Sequence, residues 1–290
     1  MADSIYKQMG RKVAAFLEEP LREVMIARQV MMFDTRQTGL GISNLQSPYY
    51  ADMKTAEVAY ELPTGAIARD QIQNSIAQTR IVTLKNGFQV DREQFEAFRD
   101  KGIDIDAANA MSATQRVLQR ENNLLLKGWQ RDGTAYEING LAEAAGTDAI
   151  GSYDFATYGN PLKKVAEAKA ALASAGVFET KFNLLLHPTQ FAQLDASVST
   201  GGIREMDQVK SMVGGGLILQ STDVSENYGL LLPHDPAGKY FRAVLTYPLT
   251  VSFGYDATIG EEISPIFGLA MERLGLRVAQ ATAICKLSNA

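Results

Sequence analysis

The sequence predicts an α+β protein in which a long central helix precedes a region of alternating helices and strands and then a strand-rich C-terminal part. Apolar residues recur at helical spacing from residue 107 to 127, after Asp106, which is a good N-cap. Beyond Gly140, apolar runs of strand length alternate with helical patterns, and the segments after Tyr228 are mostly strand-like. With 290 residues, the chain is long enough to bury a sizeable core.

The N-terminal part predicts two short helices. The first carries an apolar stripe whose members recur at a spacing near four: Ile5, Met9, Val13, Phe16 and Leu17. Pro20 suits the first turn of a second helix, from Leu21 to Met32, because the N–H that proline lacks is unpaired there in any helix. We therefore expect a helical arm over residues 1–38.

Residues 39–80 show no sustained helical spacing and contain few bulky apolar residues. Strand-like alternation is confined to Val58, Tyr60 and Leu62, which precede a turn signal at residues 63–65. A lone two-stranded ribbon is marginally stable in water. We expect an extended loop that is stable only against a neighbouring copy of the chain, with these three side chains in the contact.

Further elements are predicted along the rest of the chain. A strand at Ile81–Leu84 and a helix from Asp91 to Asp100 precede the long helix. Later helices are predicted at 160–175, 188–194 and 203–213, and strands at 182–186, 217–220, 228–232, 240–246 and 249–253. Two more strands are expected between Ile263 and Leu287, and a turn at residues 235–238 joins the strands at 228–232 and 240–246.

Composition narrows the classes of function. The net charge of −5 argues against a dedicated nucleic-acid binder, although a container can surround nucleic acid without gripping it. The single cysteine, Cys285, excludes an intrachain disulfide and is expected to be a buried residue of the last strand. The chain shows neither a secretory signal nor an apolar run long enough to span a membrane. We therefore expect a soluble intracellular protein that does not enter the membrane.

The residues that carry chemistry form no catalytic or metal-binding pattern. His187 and His234 would need two carboxylate partners to hold zinc and have no helical spacing. Gly214-Gly215-Gly216 follows a helix and precedes a strand, the reverse of a phosphate loop. Glu261 and Glu262 would point to opposite faces of a strand. We expect no cofactor, no metal and no enzymatic activity; an enzyme with an unrecognised site is the remaining alternative.

Four segments together resemble a known family of shells: Phe88–Glu96, Asn139-Gly140-Leu141, Val165–Asp195 and Val213-Gly214-Gly215-Gly216. In their order along the chain they are similar to the Hong Kong 97 phage capsid fold, which the encapsulin nanocompartments share. The resemblance implies a peripheral domain with the spine helix at 81–139, an axial domain at 140–245, and return strands of the peripheral domain at 246–290. It also makes residues 39–80 the extended loop.

The C-terminal segment resembles one branch of that fold more than the other. We interpret Met271–Val278 as a hairpin that is followed by an Ala-rich strand from Ala281 to Leu287, which is similar to encapsulin-related major capsid proteins of tailed phages. The resemblance implies pentamers and hexamers that build an icosahedral head in the host cytoplasm and enclose DNA without reading its sequence. Portal, scaffold and decoration proteins would be the partners of such a head.

The alternative is an encapsulin shell that encloses a cargo enzyme. In that family the N-terminal helix and the inner wall hold a targeting peptide of the cargo. The helical arm over residues 1–38 is compatible with both, because related phage shells also have one.

Residues 196–202 are small, polar and rich in glycine, so a surface loop is expected between two helices. In shells of this fold the corresponding loop points at a five- or six-fold axis. The resemblance therefore implies that Ser199, Thr200, Gly201 and Gly202 of several copies surround an axial opening. Their lack of charge would make that opening weakly selective among ions.

Overall fold

The structure is a computed structural model that describes residues 25–35, 44–51, 73–90, 105–130, 136–150, 154–199, 201–255 and 266–288. The described residues form the helices α1 (Ile26–Val30), α2 (Ile105–Leu126), α3 (Asn160–Ser174), α4 (Pro188–Ala196) and α5 (Glu205–Met212). They also form the strands β1 (Met32–Asp34), β2 (Asn44–Ala51), β3 (Gln73–Arg80), β4 (Val82–Val90), β5 (Gly128–Gln130), β6 (Tyr136–Asn139), β7 (Thr147–Ile150), β8 (Phe182–Leu186), β9 (Ile218–Gln220), β10 (Tyr228–Pro233), β11 (Phe241–Tyr255), β12 (Ile266–Val278) and β13 (Cys285–Ser288).

A four-stranded sheet packs against the spine helix α2. Its order is β1-β11-β12-β4, and its two central strands are 15 and 13 residues long. The helix has 22 residues and is therefore about 33 Å long. Its inner stripe, including Ala113, Val117 and Leu124, is buried in the main apolar core, as the helical spacing predicts. This sheet and helix form one half of the molecule.

A five-stranded sheet with the order β7-β13-β10-β8-β9 forms the second half, together with α3, α4 and α5. The predicted strand at 182–186 is observed as β8 with the same bounds, and all five of its residues are buried. The last strand, β13, lies inside this sheet between β7 and β10. Cys285 is buried there, as expected, and burial raises the pKa of its thiol to about 12.

A two-stranded ribbon leads away from the four-stranded sheet. β2 and β3 pair antiparallel from Asn44 opposite Arg80 to Ala51 opposite Gln73. β3 is separated from β4 by the single residue Ile81, so the ribbon is continuous in sequence with a strand of the sheet. Val58, Tyr60 and Leu62 lie outside the described residues, as do the predicted helix at 91–100 and the pair Glu261–Glu262.

The helix predicted from Leu21 to Met32 is wrong at its C-terminal end. In the described part α1 ends at Val30, and Met32 begins β1, which pairs parallel with β11. The Met32 to Asp34 backbone is therefore satisfied by a sheet partner more than 200 residues away in sequence, which local helical spacing does not reveal.

The hairpin predicted at Met271–Val278 is also wrong. The segment is the interior of β12, in which Glu272 lies opposite Leu84 of β4 and Leu274 lies opposite Leu245 of β11. Because both edges of the strand are paired with neighbours, the chain runs straight and Gly275 makes no turn. The Ala-rich strand that was predicted next begins as a 3-10 turn at Ala281–Ala283, and only residues 285–288 are strand.

The strands predicted at 240–246 and 249–253 are one strand, β11, with register shifts against β12 on either side of Tyr247. The turn at residues 235–238 joins β10 to β11, but these strands belong to different sheets. The boundary predicted between residues 245 and 246 therefore falls inside a continuous strand. Residues 285–288 pair with the five-stranded sheet, whereas the other C-terminal strand, β12, pairs with the four-stranded one.

Candidate functional site

A groove of about 940 Å³ lies where the N-terminal segment, the spine helix and the five-stranded half meet. Its apolar lining comes from all three parts: Met25 and Ile26, Leu118 of α2, and Phe191, Ile218 and Leu219 of the second half. Met25 packs on Leu118 and Leu249 in a small apolar cluster separate from the main core. The groove floor is thus apolar and is built from segments far apart in sequence.

Amide side chains line the same groove. Gln29, Gln115, Gln119 and Gln220 are exposed along it, and Asn122 lies deeper. Each amide offers both a hydrogen-bond donor and an acceptor. An apolar floor with donors and acceptors at its edges suits a peptide segment, whose side chains need apolar contact and whose backbone needs hydrogen bonds.

One wall of the groove, α1, is fixed to α2 and β12 by a charge cluster in which the side chain of Arg28, 38% exposed, covers two buried carboxylates. The Arg28 guanidinium donates from Nε to Glu121 Oε1 at 2.9 Å, and from Nη2 to Glu121 Oε2 at 2.8 Å and to Glu272 Oε1 at 3.0 Å. Both carboxylates are almost fully buried. The Phe33 ring lies below the guanidinium, with 4.9 Å from Cζ to the ring centroid.

The cluster holds two carboxyl groups against one guanidinium. Burial and the neighbouring Glu121 raise the pKa of Glu272 to about 8, although Arg28 lowers it. Among the residues that the structure describes, none forms a hydrogen bond with Glu272 Oε2. Near neutral pH the cluster therefore retains a proton on Glu272, and above that pH it carries one uncompensated negative charge.

Asn122 and Asn123 connect the spine helix to the two other walls. Asn122 Oδ1 accepts from the Ala27 N–H at 2.9 Å, and its Nδ2 donates to Asp223. Asn123 Nδ2 donates to the other Asp223 oxygen at 2.9 Å. These two adjacent amides therefore set the position of α1 on one side and of the segment after β9 on the other.

The loop predicted at an axial opening is a short, tightly bonded turn. Ser199 N donates to Ile203 O and Gly202 N donates to Ser199 O, each at 2.9 Å, and Gly202 has a φ of +81°. Thr200 lies outside the described residues. Ser199, Gly201 and Gly202 lie on the surface or near it, as the composition predicts.

The base of this loop is held by a fully buried carboxylate. Glu205 Oε2 accepts from Ser197 Oγ at 2.7 Å, and Oε1 accepts from Gly159 N at 2.9 Å, at the N-terminus of α3. A carboxylate at that end of a helix is stabilised by the unpaired N–H groups. The loop is thus tied to the first turn of α3.

The other sequence candidates have structural roles. His187 is the N-cap of α4 and accepts from Thr189 N. Gly214, Gly215 and Gly216 form the turn between α5 and β9, as predicted. Within the part of the chain that is described, no three His, Cys, Asp or Glu side chains are arranged to hold a metal ion, and no helix is long and apolar enough to cross a membrane.

Sequence reasoning missed the groove and its charge cluster. Arg28 is 93 residues from Glu121 and 244 from Glu272, and no local pattern connects them. The one available signal was an acidic residue on the apolar face of the spine helix, since Glu121 falls among residues whose spacing predicts burial.

Comparison with known proteins assigns this chain to a family. The family model Linocin_M18, described as "Encapsulating protein for peroxidase", matches residues 26–263. A diheme-cytochrome-encapsulin shell fusion protein from Kuenenia stuttgartiensis is 24% identical over 229 residues, which are 79% of this chain and 60% of that protein. This chain thus spans less than two thirds of that relative's length.

Solved structures agree on the fold. The virus-like particle from Pyrococcus furiosus has a TM-score of 0.65 and 15% identity, covering 96% of this chain and 98% of that one. The capsid of Myoviridae phage XM1 has a TM-score of 0.72 and 11% identity, covering 92% of each chain. The predicted Hong Kong 97-like α+β fold is confirmed. Because the family model matches most of its length, the chain belongs to the Linocin_M18 family of encapsulating proteins and is a shell-forming protein of the capsid and encapsulin type.

Proposed function

We propose that this chain assembles into a closed icosahedral shell that encloses a cargo protein, held by a peptide in the groove beside α1. The main support is the family match over residues 26–263, because that family is described by its encapsulation of an enzyme. The K. stuttgartiensis relative, an encapsulin shell fused to a cytochrome, points the same way. The hairpin that favoured a phage head is not present in β12.

The groove fits this proposal in size and chemistry. About 940 Å³ is near the top of the range of about 300–1,000 Å³ for ligand pockets, so it accommodates a segment of several residues. The apolar side chains Met25, Leu118 and Phe191 would take the peptide's apolar residues. The surrounding glutamines would bond its backbone.

The groove is tested by what purified shells contain. We expect shells from the source cells to hold one dominant protein, identified by mass spectrometry, and Phe191→Ser shells to hold at least tenfold less of it. Phe178→Ser is the matched control, because Phe178 is 80% exposed and does not line the groove. Unchanged cargo in the Phe191 variant would rule the groove out. Nuclease-protected DNA in place of protein would indicate a phage head.

A phage head is the second candidate function, supported by the TM-score of 0.72 with the phage XM1 capsid. In that case the shell would be a virion component, assembled in the host cytoplasm with portal, scaffold or decoration proteins. Such a shell would enclose DNA without reading its sequence. Intact virions that contain the chain would decide for this function.

The extended loop carries the first prediction on assembly. Deleting Asp52 to Gln73 is expected to leave a folded core that forms no closed shell, because the ribbon of β2 and β3 would lose the part that reaches a neighbour. Analytical ultracentrifugation checks particle mass. Replacing Val58, Tyr60 and Leu62 with serine should have the same effect, since alternate residues of the strand that the sequence predicts would share one face.

The matched control replaces Glu57, Ala59 and Glu61, which would lie on the opposite face of the predicted strand, with serine. Closed shells are expected from this control. Wild-type particles from the deletion, or an equal loss from both triple variants, would contradict the assignment of the contact face.

The domain assignment is proposed in a revised form. The four-stranded sheet and α2 would be the peripheral domain, and the five-stranded sheet with α3–α5 would be the axial domain. Residues 285–288 then belong to the axial domain. This revision is supported by the pairing of β13 with β7 and β10.

The axial loop gives a second prediction on assembly. We expect residues 199–202 of five or six copies to surround an opening on a symmetry axis, visible in a cryo-EM reconstruction of the shell. Arg204 is exposed two residues after the loop, so the opening would favour anions more than the uncharged loop alone implies. A position far from every axis would overturn this placement.

A further inference from the structure

The spine helix α2, together with Lys127 directly after it, presents a stripe of positive charge to solvent. Arg116, Arg120 and Lys127 are all exposed. Since a helix turns about 100° per residue, these positions fall within a sector of about 40° along one side. None of the three side chains forms a hydrogen bond or ion pair that the structure shows with a described residue.

No described acidic side chain accompanies the stripe on α2. From residue 109 to the end of the helix the one acid is Glu121, which points inward and bonds Arg28. Asn123, on the same side, is partly buried and bonds Asp223. The Asp223 carboxylate, which that bond brings to this side, offers one negative charge against the three positive charges of the stripe. The stripe is therefore a local positive surface in a chain of net charge −5 and suits an anionic partner.

The spacing of the stripe selects the kind of anion. Arg116 and Arg120 are separated by about 6 Å along the helix axis, and Arg120 and Lys127 by about 10.5 Å. Phosphate groups along one nucleic-acid strand repeat on a similar scale of several ångströms. Guanidinium groups bind phosphate oxygens in pairs, and an isolated lysine adds a point charge. An acidic protein surface would instead need individual carboxylates at matched positions.

We propose that the stripe Arg116, Arg120 and Lys127 binds the phosphate backbone of nucleic acid, without reading its sequence. The overall negative charge, which argued against such binding, conceals a local surface of the opposite sign. This inference does not depend on whether the shell holds a cargo protein or a genome. Of the two measurements that test it, only nuclease protection of purified particles rests on the proposed shell.

Direct binding is measured first, by fluorescence anisotropy. The two probes are a labelled single-stranded RNA and a labelled DNA duplex of the same length and mixed sequence, so that binding to RNA and binding to DNA are measured separately. The test variant replaces Arg116, Arg120 and Lys127 with glutamine. Three phosphate contacts contribute about 2.7 to the slope of log affinity against log salt for a duplex and about 2 for a single strand. We expect the variant to lose that part of the slope and to bind at least tenfold more weakly at low salt.

The matched control replaces Lys181, Arg204 and Lys210 with glutamine, which removes the same charge from exposed positions in the other half. It should bind as wild type does. Arg116→Lys with Arg120→Lys should retain most of the salt dependence, because the charge remains. An equal loss in both glutamine variants, or no measurable binding by wild type at low salt, would overturn the proposal.

The second readout is nucleic acid that survives nuclease treatment of purified particles, measured per subunit by phosphate analysis. Wild-type particles should retain it, and the glutamine variant should retain several-fold less while sedimenting at the same mass. If the variant folds, as judged by circular dichroism, but no longer assembles, the stripe contacts a neighbouring copy and the proposal is wrong. If no particles form from wild type, the shell proposal fails while the anisotropy result still decides the binding.

Discussion

Replacing Arg28 with methionine is expected to lower the free energy of unfolding by about 3–5 kcal/mol. The substitution leaves Glu121 and Glu272 buried without their cation, and α1 loses its bonds to the spine helix and to β12. The loss is measured by denaturant unfolding of the wild type and the variant in the same state of assembly. Hydrogen exchange at the Ala27 amide, which donates to Asn122, should become faster as α1 detaches.

The control for this prediction removes the whole charge cluster. A triple variant, Arg28→Met with Glu121→Gln and Glu272→Gln, should recover most of the lost stability, because no uncompensated charge remains in the interior. If Arg28→Met alone costs less than about 1 kcal/mol, the guanidinium is not needed to balance the two carboxyl groups. The same small effect would mean that α1 is held mainly by the apolar contacts of Met25 and Ala27.

Replacing Glu272 with glutamine is expected to stabilise the protein in alkaline solution and to have little effect at pH 5. The pKa of Glu272 is raised to about 8 in the folded chain. The folded state therefore holds a proton that the unfolded state releases, and wild type loses stability as pH rises from the unfolded pKa through about 8. Glutamine has no such proton to lose. The advantage of the variant should grow to at most about 4 kcal/mol at pH 9.

Unfolding curves between pH 5 and pH 9 test this prediction, with Glu143→Gln as the control at an exposed position. The control should follow the wild-type pH profile. A Glu272 variant that is equally destabilised at both ends of the range would indicate that the carboxylate, and not its proton, is what the cluster requires.

The elements that sequence reasoning predicted correctly are those whose signals are local. β8 is recognisable because five consecutive apolar residues, Phe182 to Leu186, are buried on both faces of a sheet. The spine helix is recognisable because its apolar residues recur at helical spacing over 22 residues. Neither element depends on a particular distant partner for its identity.

The errors occurred where a distant partner decides the conformation. Glu272 and Arg273 resemble turn residues when they are read alone. Glu272 is nevertheless fully buried, because Arg28 donates a hydrogen bond to its carboxylate beside Glu121. Met32 leaves the helical pattern because β11 offers its backbone a parallel partner. The groove was invisible for the same reason, since its walls come from three segments that only the fold brings together.

The position of β13 has a consequence for the order of events during synthesis. Its residues 285–288 lie between β7 and β10, so β7 pairs with a strand that is made about 138 residues later. Until the ribosome has delivered that strand, the five-stranded sheet has a gap in its middle, and β7 and β10 present unpaired edges. Contacts so distant in sequence form late and slowly. A nascent chain is therefore expected to complete its five-stranded half late in synthesis, and its unpaired strand edges are prone to aggregation until then.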